Sequence, residues 1–178
     1  MAEEKKEPWL NWLALTTVIL AVCATLSTFK GGGYSTRSVM SQTQASDQWS
    51  FYQAKSIKSY LYDLQIDKLR LEMKTEGTEL TPAALAEYQK LIDEYAGKVE
   101  TYKAEQKEIM AEAKRFEEVK ADAQKHGQTF GIAVIYLQIA ILLSSIAALL
   151  KKKLVWLAGT SLGAVGVVYF INGFFMFF

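Results

Sequence analysis

The residue pattern of this chain predicts an all-α membrane protein with three transmembrane helices plus a long extramembrane antiparallel helical (coiled-coil) hairpin. Three blocks of more than twenty residues carry no charge, every charge falls outside them, and the longest charged stretch repeats apolar residues at three-four spacing without any alternating strand pattern. The 178 residues hold 20 Lys+Arg against 19 Asp+Glu, a net charge of +1, which fits neither a basic nucleic-acid binder nor an acidic tail protein. A single Cys and a single His exclude a disulfide framework and a Cys/His zinc site.

Residues 1–8 form a short N-terminal segment, and residues 9–29 form the first uncharged block, which as a helix is roughly 31 Å long, enough for a hydrocarbon core. Pro8 suits a first helical turn, where its missing N–H has no partner to lose. A cleaved signal peptide is the competing reading of this start. The block exceeds the usual apolar core of such peptides, and the segment before it carries three Glu. Cys23, preceded by the bulky Val22, reads as packing within the helix and not as a lipidated residue.

The second block, 129–150, and the third, 154–178, are separated only by Lys151, Lys152 and Lys153, so they form an antiparallel helical pair. Three spans put the N-terminus and the Lys loop on one side and the middle region on the other. The Lys triplet, with Lys5 and Lys6, marks the cytoplasmic side if the membrane is a bacterial inner membrane, and the hairpin is then periplasmic. Lys114, Arg115, Lys120 and Lys125 just before the second block weigh the other way.

Residues 30–128 have two internal break signals. Gly31, Gly32 and Gly33 read as a hinge after the first span, and the stretch 75–82 reads as a turn, with Gly77 as a helix stop and Thr81-Pro82 as an N-cap and first helical residue. Helix A is therefore expected at about 34–74 and helix B at about 82–126.

Helix B repeats Leu85, Tyr88, Ile92, Tyr95, Val99, Tyr102, Gln106, Ile109, Ala113, Phe116, Lys120 and Ala123 at alternating three and four, between Glu/Lys-rich positions such as Glu94 and Lys98. This seam must face another helix, and helix A is the available one. If Gly127 does not break it, helix B runs on into the second span.

Stepping about 100° per residue sorts helix A into two opposed apolar faces. Ile57, Tyr60, Leu61, Leu64 and Leu71 share one, expected to face helix B; Phe51, Tyr62, Ile66, Leu69 and Met73 share the other. A hairpin covers only one face, and leaving large side chains in water forgoes about 1.5–3 kcal/mol each. The second face, with the small-xxx-small pair Gly159 and Gly163 of the third span, is therefore expected to join copies of the chain.

The start of helix A, with Gln42, Gln44 and Gln48, is polar on all sides. With Thr17 and Thr25 of the first span it supplies the lining of an alternative, passive-channel reading. No Asp, Glu, Lys, Arg or His lies inside a span, which argues against proton relay, coupled transport and voltage sensing. His126 stands without a nucleophile motif, and Gly31-Gly32-Gly33 lacks the Lys and Ser/Thr of a phosphate-binding loop. No catalytic, cofactor-binding or metal-ligating residue is expected, and no nucleic-acid partner.

Residues 45–58 (ASDQWSFYQAKSIK), set after an N-terminal span and before a charged helical region and an apolar pair, resemble the bacterial domain-of-unknown-function family 4337. The resemblance implies a bacterial membrane protein of this layout and brings no activity, cofactor or site residue with it. The expected function is a non-enzymatic homo-oligomeric inner-membrane scaffold, or an accessory to another membrane complex. The alternatives are the channel, and a subunit that binds a different protein through the second face of helix A.

Overall fold

In the computed structural model, described for residues 8–76 and 81–178, the chain is three helices: α1 (Pro8–Glu76), α2 (Pro82–Leu150) and α3 (Lys153–Phe175). All three are long and apolar enough to cross a membrane. The proposed stop at Gly77 and the cations Lys5 and Lys6 lie outside the described residues. Thr81 caps α2 as its sequence suggests, its side-chain oxygen accepting from Ala84 N at 3.3 Å and its carbonyl from Leu85 N at 3.0 Å.

The expected hinge at Gly31–Gly33 is not a break, and helix A is the continuation of the first span within α1. Tertiary contact outweighs glycine's poor helix propensity here. A Cβ on Gly31 would lie 3.1 Å from Phe130 Cβ, so the missing side chain lets α1 approach α2, and Tyr34 one turn on stacks against His126 and Phe130. Gly127 likewise lies within α2, which continues into the second apolar block.

The chain divides into two compact units. Unit 1 takes residues 1–40 and 119–178 and contains all three apolar blocks. Its buried centre is Leu20, Ala24, Ala133, Leu137 and Ala140, with Ser27 and Ser144 fully enclosed. Large residues such as Val18, Val22, Ile135, Leu142 and Val168 point outward. This arrangement, with small residues and the glycine-seated Leu20 and Leu137 inside and many large apolar side chains outside, suits a surface wetted by lipid.

Gly159 and Gly163 hold α3 against its own chain, which corrects their expected place between copies. A Cβ on Gly159 would meet Leu143 Cβ at 3.0 Å, and one on Gly163 would meet Leu20 at 2.9 Å; Gly166 and Gly173 are filled in the same way by Leu137 and Phe130. The two-residue turn after α2 forces α3 to lie along it, and only glycine leaves room for the approach. Asn172 closes the end of α3: its Oδ1 accepts from Phe177 N at 2.7 Å and Phe178 N at 3.2 Å, while Met176 turns left-handed with φ 50°.

Unit 2 spans residues 41–118. Here α1 and α2 run antiparallel, because contacts step outward in opposite directions along the two helices. Tyr62 lies against Tyr95 and Tyr102, Lys55 pairs with Glu105, and Trp49 Nε1 donates to Glu117 Oε1 at 2.8 Å. The core is Ile66, Ile92 and Val99, packed by Tyr62, Leu69, Met73 and Tyr95.

Candidate functional site

The seam of unit 2 takes the opposite face of helix A from the one expected. Tyr62, Ile66, Leu69 and Met73 pack on α2, whereas Ile57, Tyr60, Leu61, Leu64 and Leu71 stand 56–70 % exposed. On α2, Leu85, Tyr88, Ile92, Tyr95, Val99, Tyr102, Ile109 and Phe116 are all buried or half-buried. The faces are exchanged because the inward repeat on α1 runs 41, 45, 48, 52, 55, 59, 62, 66, 69, 73, and every one of these positions is buried or half-buried. Ser41, Ala45 and Ser59 are buried members of that repeat. A search for large apolar residues passes over them, yet small side chains let two helices close together along their length. The face of Ile57 and Leu64 meets only Thr43 and Ser50 when its seven-residue spacing is followed back toward the first span.

Behind the seam the aromatic cluster is held by cations. Lys98 Nζ lies 5.3 Å from the Tyr62 ring centroid and 5.8 Å from that of Tyr95, and Lys55 Nζ lies 5.1 Å from Tyr102. Lys98 also pairs with Glu94 at 2.7 Å. That hydrogen bond is the main reason the Glu94 carboxyl is held below its ordinary value and the Lys98 ammonium above its own.

The exposed face is the candidate site. Ile57, Leu64 and Leu71 recur every seven residues, with Tyr60 and Leu61 beside them, over about 21 Å of helix. Phe51, expected at an interface with Tyr62 and Ile66, is exposed and is not among the side chains packed around them. The comparison with α2 is decisive: none of the large apolar residues between Pro82 and Glu118 is exposed, so among the described residues the large outward apolar side chains of unit 2 all belong to α1. Contiguous apolar patches of this kind mark interaction surfaces.

The residues of the channel reading are divided between the units, Thr17 and Thr25 in unit 1 and Gln42, Gln44 and Gln48 in unit 2. Thr17 and Thr25 donate their hydroxyls to Leu13 O and Ala21 O of their own helix, at 2.8 and 2.9 Å. Gln42 and Gln44 are exposed, while Gln48 is half-buried in the inward repeat of α1. Among the described residues no group of three or more His, Cys, Asp or Glu side chains is placed to hold a metal ion.

One junction in unit 1 was not legible in the sequence. His126 stacks on Tyr34 with 4.5 Å between centroids and lies in hydrogen-bond contact through Nδ1 with Gly173 O at 2.7 Å, so it joins all three helices. Asp122 Oδ1 stands 3.8 Å from its Nε2. A lone His before an apolar block carries no signal of a partner 47 residues away.

Comparison with curated proteins and with solved structures returns no match. The family model described as Domain of unknown function (DUF4337) matches residues 9–176, nearly the whole chain, so the protein belongs to that family.

Proposed function

We propose that the protein is a self-associating membrane scaffold: three spans anchor a coiled-coil hairpin, and copies of the chain join through the exposed face of α1. The observation that carries this reading is the face itself, Ile57, Tyr60, Leu61, Leu64 and Leu71, left uncovered in a unit whose other helix exposes no large apolar residue. A second copy is the occupant favoured by geometry. Copies anchored by the same spans in one membrane present α1 in the same direction, and Ile57, Leu64 and Leu71, seven residues apart, then meet their own counterparts in register.

The role is structural and not enzymatic, and the membrane is the bacterial inner membrane, with the hairpin in the periplasm and the Lys151–Lys153 loop in the cytoplasm. The acid-free Lys loop supports that orientation.

The test is the mass of the detergent-solubilised complex by native mass spectrometry. A defined multiple of the 20.0 kDa chain is expected. In the double variant Leu61→Glu, Leu64→Glu the mass falls to that of one chain while the helical circular dichroism is retained, because both residues are exposed in the single chain. A wild-type monomer, or a variant of unchanged mass, overturns the reading.

A further inference from the structure

A second surface, in unit 1, has a chemistry of its own. Lys30 is the first charge after the 21-residue apolar block, and Arg37 follows seven residues later, two helical turns on and on the same face. Between them α1 has a groove of about 600 Å³, lined by Phe29, Lys30, Gly32, Gly33, Tyr34 and Arg37 among others. We propose that this groove binds the phosphate headgroup of an anionic phospholipid, an inference that rests on the first apolar block spanning the membrane.

Four features converge on that ligand. Neither cation has a carboxylate within 4 Å among the described residues, and the ammonium of Lys30 has only the face of Phe174, 5.9 Å away. Gly31 is accounted for by its contact with Phe130, but a Cβ on Gly32 or Gly33 would meet nothing within 4 Å. Two glycines that weaken a helix and serve no internal packing leave bare backbone and open space between the two cations. Tyr34 forms a fixed wall, because its ring is stacked on His126.

Phe29 is 76 % exposed at the membrane end of the groove, where an acyl chain leaves the headgroup. The two cations sit about 10.5 Å apart along the axis. Lys30 lies at the edge of the apolar block, and Arg37 is long enough to extend back along the helix toward it, so both side chains can close on one phosphate with charge-assisted hydrogen bonds. A zwitterionic headgroup brings its own cation to a site with two positive charges and no acid, so the groove discriminates against it. A free phosphate would satisfy the cations but would leave Phe29 and the adjoining apolar surface unused.

The experiment uses the full chain in detergent, with phosphatidylglycerol and phosphatidylcholine titrated separately and bound lipid read by native mass spectrometry. The wild type is expected to retain phosphatidylglycerol with about tenfold preference or more. That preference should fall to parity in Lys30→Gln, Arg37→Gln. It should also fall in Gly33→Leu, which fills the groove without changing charge. Equal preference in all three proteins overturns the proposal. So does displacement of phosphatidylglycerol by inorganic phosphate at matched concentration, which would make the site one for soluble anions. Retention on vesicles through alkaline carbonate extraction separates the two levels of failure. A wild type washed off the vesicles refutes the spanning block, whereas a retained protein without lipid preference refutes only the headgroup site.

Discussion

Unit 1 and unit 2 bring the same two helices together by different means. In unit 1, α1 meets α2 through Leu20, Ala24, Ser27, Ala133 and Ala140, and α3 joins them through Gly159, Gly163, Gly166 and Gly173, while many large aliphatic residues, such as Val18, Val22, Ile135 and Leu142, face outward. In unit 2 the same helices meet through Tyr62, Ile66, Ile92, Tyr95 and Val99, with ion pairs such as Lys55 to Glu105 across the seam. The solvent expected around each explains the difference. Where lipid is as apolar as the core, association depends on close van der Waals approach and therefore on small residues. Where water surrounds the helices, burying large apolar surface is itself the driving force.

The sharpest way to break this comparison is to enlarge a glycine in each unit. A Cβ on Gly166 would lie 2.8 Å from Leu137 Cγ and 3.0 Å from Leu137 N, and a backbone atom cannot swing aside. Gly166→Leu is expected to cost about 3 kcal/mol or more, read by circular dichroism during unfolding in mixed micelles. Gly97, exposed in unit 2, has nothing within 4 Å of its Cβ position, so Gly97→Ala should stabilise by about 1 kcal/mol. Equal effects of one sign would mean that close approach is not what sets the two units apart.

A smaller but more specific test concerns the two faces of helix A. Ile66 is 5 % exposed against Ile92 and Val99, whereas Leu64, two residues away, is 64 % exposed. Ile66→Ala should cost about 2–4 kcal/mol in hairpin stability, and Leu64→Ala should cost little within a single chain. Measured on monomeric protein at high dilution, the reverse order would restore the face first expected from the sequence.

What the sequence made readable divides along the same line. The register of α2 was open to inspection because its inward positions are large: Tyr88, Ile92, Tyr95, Val99 and Tyr102 outline the seam by themselves. The inward face of α1 was not, because Ser41, Ala45 and Ser59 carry much of it, and a small residue in a seam looks like a small residue anywhere. The spacing of Gly159 and Gly163 announced a close approach but could not say to which helix; the partner follows from the short turn at Lys151 and Lys152. Gly31–Gly33 looked like a hinge because propensity is local, whereas the reason for Gly31 is Phe130, 99 positions further along the chain.

The smallest expected effect concerns charge, which the three apolar blocks lack. Glu94 is held below its ordinary 4.5 and Lys98 above its ordinary 10.5, chiefly by their mutual hydrogen bond. The depressed carboxyl contributes stability that is present above about pH 4.5 and is lost as pH falls through its lowered value. The raised ammonium contributes stability that is present below about pH 10.5 and is lost as pH rises through its raised value. Across the neutral range the pair is therefore constant, and because both groups are solvent-exposed its contribution is slight. Lys98→Gln should lower the stability of the hairpin a little at pH 7, and the gap to wild type should narrow once the solution is acid enough to protonate Glu94. If the gap instead persists at low pH, Lys98 acts mainly through the Tyr62 and Tyr95 rings beneath it, whose attraction for the ammonium does not titrate with Glu94. The seam of unit 2 would then be closed by its aromatic cluster and the cation over it, with the ion pair a minor addition.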